Sequence, residues 1–239
     1  MSLNIFDIGI VLLCLMFFIV GAKNGVIKEV FSLAGTIAVF VIAFMFRGIL
    51  GNVMCIALPF FKLSGALEGI TAINILLYQV IAFMLLFFIL LSVYVLIMGI
   101  SSVFQKLVNL TIILIPVSKL LGGVVCLVKG YIIMFVVFLL LMIPLKNAAI
   151  YKESKLVNMM LYETPVLSEF SSKITSPVED IYSLANQVSK KKITSQEANK
   201  KTVDIMLKYK VCDKDLIRTL IRKNKLTNID DIESILKKY

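Results

Sequence analysis

Gly21-Ala-Lys-Asn-Gly-Val-Ile-Lys-Glu29 is a short polar break between two long apolar runs, residues 5–20 before it and 30–46 after it. Each run, extended by a few residues into the break, reaches the roughly 17–25 residues that a helix needs to cross a bilayer. Gly21 and Gly25 loosen the backbone there, while Lys23, Lys28 and Glu29 are costly to leave in hydrocarbon. The stretch reads as the turn of a tight transmembrane helical hairpin, and the remaining sequence has to be read as that of a membrane protein.

Composition agrees. The chain has 239 residues, 59% hydrophobic and only 17% charged, with a mean hydropathy of +0.96. Such values exceed those of soluble domains of this size. Charge is unevenly placed: residues 1–145 hold 7 Lys/Arg and 3 Asp/Glu, and residues 146–239 hold 18 and 12. Two domains are therefore expected, a four-span membrane domain at 1–145 and a basic amphipathic-helical tail at 146–239. The first apolar run has no basic region before it, and Lys23-Asn24 follows it instead of a small-residue cleavage site. It is expected to be retained as a span.

The first span carries one acid, Asp7, within its first turn or two. This carboxylate either reaches headgroup water or caps the helix N-terminus, or it turns inward to pair with a lysine of another helix. Residues 49–63, broken by Gly51 and Pro59, read as an interfacial or re-entrant piece; Lys62 and Glu68 return the chain to water. Residues 70–98 form the longest run without a charge and predict the third span. Residues 103–115 read as an amphipathic surface segment ended by Pro116.

The fourth span falls within residues 119–145. Gly122, Cys126 and Gly130 recur every four residues, giving one helix face a strip of small side chains. No hydrophobic force draws helices together in lipid, so such a strip serves close backbone approach. Lys129 interrupts the same run, as an interfacial anchor by snorkelling or as a partner for Glu29. The strip and the Gly21/Gly25 pair are expected to meet each other or a second subunit.

In the tail, Thr164-Pro165 and Ser176-Pro177 read as helix starts, with capping boxes at Ser176/Glu179 and Thr194/Glu197. Amphipathic helices are predicted over 198–210, 213–223 and 228–237. Lys190-Lys191-Lys192 has no aromatic platform beside it, so a solvated linker or contact with anionic lipid is preferred to nucleic acid. Cys14, Cys55, Cys126 and Cys212 show no C-x-x-C spacing and histidine is absent, so no metal, no cofactor and no catalytic residue is expected.

The hairpin and the fourth span together resemble the colicin V production protein family (CvpA). The likeness rests on Asp7, on Asn24-Gly25-Val26-Ile27-Lys28-Glu29 followed by Ser32-Leu33, and on Ser118-Lys119-Leu120-Leu121-Gly122 with Cys126 and Lys129-Gly130. Ser154-x-Leu156 is similar to a serine–leucine element of the family. This chain has Asn24 where the family usually has arginine, Val26 for phenylalanine, Ser118 for aspartate and Cys126 for glycine. The resemblance covers about residues 1–170. It implies a four-span plasma or inner membrane protein linked to production or export of a peptide toxin. Some relatives carry a serine protease after the fourth span, and that activity does not carry over to a chain lacking histidine and Gly-x-Ser-x-Gly. Those relatives imply that both termini face away from the cytoplasm.

Two roles follow as expectations. One is a non-enzymatic accessory or scaffold in toxin production, secretion or an envelope process, with the lipid bilayer and other membrane proteins or further copies of the chain as partners. The other is a small channel or transporter subunit with a polar path lined by Asp7, Lys28, Glu29, Glu68 and Lys129.

Overall fold

The computed structural model describes residues 4–64, 67–100, 115–145, 148–226, 229 and 232–239. It is all-α, with no strand among the described residues, and four helices are long and apolar enough to cross a membrane. These are α1 (Ile5–Asn24), α2 (Val26–Ala57), α3 (Ile73–Ile100) and α4 (Ile115–Leu145). Shorter elements follow: α5 (Ala149–Lys152), α6 (Lys155–Asn158), a π-helical turn at Met159–Glu163, α7 (Leu167–Ser189), α8 (Ser195–Lys208), α9 (Lys214–Arg222) and α10 (Ile232–Lys238).

A single residue separates α1 from α2. Gly25 has φ 81° and ψ 162°, outside the range of residues with a β-carbon, and its N–H caps α1 on the carbonyl of Gly21 at 3.0 Å. This geometry makes the hairpin tight.

Two sequence expectations are corrected. Residues 49–57 are not a separate interfacial piece, because α2 runs unbroken for 32 residues to Ala57. Gly48 and Gly51 keep their N–H groups, so each costs the helix only about 1 kcal/mol, and Pro59 acts just after the helix has ended. Ser176-Pro177 does not start a helix either. Pro177 lies inside α7, buried with Val178, Ile181 and Leu184, and burial of that face outweighs the lost backbone bond. The start expected at Thr164-Pro165 appears slightly later, at Leu167, and the Thr194/Glu197 capping box is formed. Pro116 is the second residue of α4, where its missing N–H removes no helical bond. The surface segment expected over 103–115 lies outside the described residues, apart from Ile115.

The chain forms two compact units that cut across the compositional boundary at 145/146. One comprises Met1–Met45 and Met84–Thr164, the other Phe46–Phe83 and Pro165–Tyr239. In the first, the Phe40 ring lies 6.3 Å from that of Phe87 and 6.2 Å from that of Phe135. Tyr94 fills the notch left by Gly35, where a β-carbon would overlap its ring, and donates its hydroxyl to the Phe31 carbonyl at 2.8 Å.

In the second unit, tail helices cover the ends of α2 and α3. At 1.5 Å per residue α2 is about 48 Å long, well beyond the ~30 Å hydrocarbon core, so apolar side chains at its end need cover other than lipid. Cys55, Ile75 and Tyr78 meet Val203, Ile217 and Leu220 in one buried cluster. Lys225 Nζ donates to the Cys55, Ile56 and Leu58 carbonyls at 2.8, 2.9 and 2.6 Å, satisfying the C-terminus of α2. Asn199 uses both ends of its amide, accepting from Ala72 N–H at 3.0 Å and donating to Gly69 O at 2.7 Å.

Candidate functional site

The site forms where α1, α2 and α4 converge. Because the hairpin is so short, Asn24, Glu29 and Ser32 face one another across the turn and the first turns of α2. The N–H of Val26, at the start of α2, donates to Ser118 Oγ at 3.3 Å. Ser118 thus supplies the acceptor at the position where the family likeness expects aspartate.

Small residues let α1 and α4 come together. A β-carbon on Gly122 would lie 2.6 Å from the Gly21 carbonyl oxygen and 2.7 Å from the Gly25 carbonyl carbon. One on Gly21 would overlap Cys126 Cβ and the Gly122 backbone, and one on Gly130 would overlap the Phe17 ring. Gly21, Gly122 and Cys126 therefore form the point of closest approach, and Gly130 makes room for an aromatic ring one level further along.

That approach carries Lys129 to Glu29. Lys129 Nζ lies 2.6 Å from Glu29 Oε2 and donates to Ser32 Oγ at 3.1 Å. Asn24 Nδ2 donates to the other carboxylate oxygen at 2.5 Å, and Asn24 Oδ1 accepts from Lys28 Nζ at 3.2 Å. Glu29 is 1% exposed and Lys129 15%, whereas Lys28 is exposed. Such a pair attracts strongly in a low dielectric but also carries a large desolvation cost, which the hydrogen bonds from Asn24 and to Ser32 help to offset. Charges from two spans and a polar side chain from a third close on one another.

Asp7 is placed elsewhere, at the opposite end of α1. It is 6% exposed and accepts from Ser154 Oγ at 2.6 Å and Leu156 N–H at 3.2 Å. Ser154 in turn caps α6 through Val157 N–H at 3.2 Å. The partners of this acid are thus a hydroxyl and a backbone amide following α4. Glu68 belongs to the second compact unit.

Ser32 and Asn24 were not singled out as site residues by the sequence. Ser32 is one helical turn from Glu29, so it shares that face of α2 and could have been found by spacing. No group of three or more His, Cys, Asp or Glu that could hold a metal occurs among the described residues.

A family model described as Colicin V production protein matches residues 6–165. Neither a curated protein nor a solved structure matches the chain.

Proposed function

The chain belongs to the colicin V production protein family, and from that premise we propose that it is a non-enzymatic accessory or scaffold of the plasma membrane. It would assist production or export of a colicin V-like peptide, or a related envelope process, with other membrane proteins or further copies of itself. The observation that carries this reading is the closure of the Glu29–Lys129 pair between α2 and α4, with Asn24 of α1 on the same carboxylate. Charges satisfied by each other join two helices and leave neither charge free to line a path for a transported species, which fits a scaffold.

A second reading is a small channel or transporter subunit, favoured by the position of that pair within apolar spans. The two readings separate in cells that depend on this chain for peptide export. The neutral double variant Glu29→Gln/Lys129→Met removes charge while leaving matched side-chain volume. A scaffold keeps exporting with it. A polar path that needs the charges stops, although the protein still accumulates in the membrane.

A further inference from the structure

We propose that a cleft in the second compact unit, walled by Arg47 of α2, Lys173 of α7 and the buried amide of Gln79 on α3, holds the headgroup of an anionic phospholipid that carries a hydroxyl, as phosphatidylglycerol does. The proposal is independent of the export role above.

The depth of the cleft comes from α2 itself. Residues 30–46 carry no charge, so Arg47 is the first charged residue after Glu29, 18 positions on. That separation is about 27 Å of helix, close to the ~30 Å thickness of the hydrocarbon core. With Glu29 beside the hairpin turn at one edge, Arg47 stands at the level of the lipid phosphates at the other. Past Arg47, α2 continues to Ala57, where tail helices cover its end.

Two cations from different elements line the cleft. Arg47 is half-buried and Lys173 is exposed, and apolar Leu76, Ile174 and Val211 complete the lining. No carboxylate is among the described residues that line it. Basic pockets between helices at headgroup depth hold anionic lipids, and a planar guanidinium suits phosphate oxygens. The apolar wall suits the glycerol carbons beside the phosphate.

Gln79 asks for the hydroxyl. It is 4% exposed, and its Nε2 donates to Asn52 Oδ1 at 2.9 Å, while Asn52 Nδ2 donates to Asp213 Oδ2 at 3.5 Å. A carboxylate only accepts, so this chain of bonds fixes which end of each amide is the oxygen. Gln79 Oε1 is left buried with no hydrogen-bond donor among the described residues, a costly state for an amide. Gly51 admits the amide here, since a β-carbon on it would lie 2.7 Å from Oε1. The cleft encloses about 10 Å³, room for one group the size of a water or hydroxyl. An ammonium donor, as in ethanolamine lipids, would add a third cation beside Arg47 and Lys173, whereas a neutral hydroxyl adds none. The hydroxyl therefore takes the enclosed end, and the phosphodiester stays at the mouth with the cations.

The test is lipid binding to the full chain in detergent, read by native mass spectrometry. The probes are dioleoyl phosphatidylglycerol, phosphatidylmethanol (the same charged diester without the hydroxyl) and phosphatidylcholine. Phosphatidylglycerol should bind about fivefold more tightly than phosphatidylmethanol, the effect of one hydrogen bond. Phosphatidylmethanol should in turn bind about tenfold or more tightly than phosphatidylcholine, the effect of the cations on a net charge. These comparisons use the unsubstituted chain and need no variant to fold. Lys173→Gln should weaken both anionic lipids about fivefold, while Lys192→Gln, at an exposed lysine elsewhere in the tail, should change neither. Gln79→Met should abolish the preference for phosphatidylglycerol over phosphatidylmethanol and keep that over phosphatidylcholine. Equal affinity for all three lipids, or equal losses at Lys173 and Lys192, would reduce the binding to non-specific attraction and overturn the site. Equal binding of the two anionic lipids would leave a water at Gln79 and overturn the hydroxyl. Millimolar inorganic phosphate should not displace phosphatidylglycerol; displacement would make the ligand free phosphate and overturn the lipid.

Discussion

Lys129 on α4 and Glu29 on α2 stand 100 positions apart and meet as an ion pair at 2.6 Å, with the carboxylate almost wholly removed from solvent. Neither charge could stay in apolar surroundings alone. The pair forms because the small residues of α1 and α4 have already brought the helices close. Packing and charge are thus one arrangement: the glycines set the distance, and the pair, with Asn24 and Ser32, sets the register.

Not all the glycines of the strip are equivalent. Gly122→Leu meets the backbone of Gly21 and Gly25, which cannot rotate away, whereas Gly130→Leu meets the ring of Phe17, which can. Overpacking costs about 1–3 kcal/mol, and Gly122→Leu should lie at or above the top of that range. Thermal aggregation midpoints in detergent should fall in the order parent, Gly130→Leu, Gly122→Leu. Ile133→Leu, off the strip, should match the parent.

Val166 holds a strained turn. Its φ of 68° and ψ of −54°, with Leu167 N–H bonded to the Pro165 carbonyl at 2.8 Å, make a γ-turn of positive φ. That turn is rare and is unfavourable for a β-branched residue. Val166 is 69% exposed, so little packing is lost on truncation. Val166→Gly should raise stability by about 1 kcal/mol, read as a higher melting midpoint.

Sidedness needs a reactive reporter. Cys212 is half-buried and burial pushes its thiol upward, so less of it is thiolate at neutral pH. Its labelling should be slow at pH 7 and accelerate as the pH rises. Lys191→Cys in a Cys212→Ser background is exposed and suits the purpose. If the tail faces away from the cytoplasm, an impermeant maleimide labels it in intact cells; labelling only after lysis would reverse the orientation.

The hairpin was legible because polar residues in an apolar run have few places to go, and a glycine pair at the break leaves a turn as the simplest solution. The strip at 122, 126 and 130 was legible from period alone. The Gly21/Gly25 pair was one of the two partners expected for it, and Gly122 and Cys126 lie against Gly21; that Gly130 would face the Phe17 ring was not legible, since period alone does not name the opposing side chain. The length of α2 was misread because Gly51 and Pro59 look like breakers. Gly51 instead gives way to the Gln79 side chain, with which a β-carbon would clash. Asp7 meets Ser154 and Leu156, 147 and 149 residues away; all three stood among the residues that carry the family likeness, but a likeness does not say which of its residues touch.

The central claim is that Glu29 and Lys129 act as one structural unit, and a double-mutant cycle on stability tests it most directly. Glu29→Gln and Lys129→Met, each alone, strand a buried charge, and each should cost about 3–5 kcal/mol. Together they leave no charge to strand, so the double variant should fall well short of the sum, with a coupling of about 2 kcal/mol or more. The quantity to measure is the unfolding free energy of the four proteins in the same detergent. Single losses of this size with strong coupling are the predicted result; small losses that simply add would contradict the account.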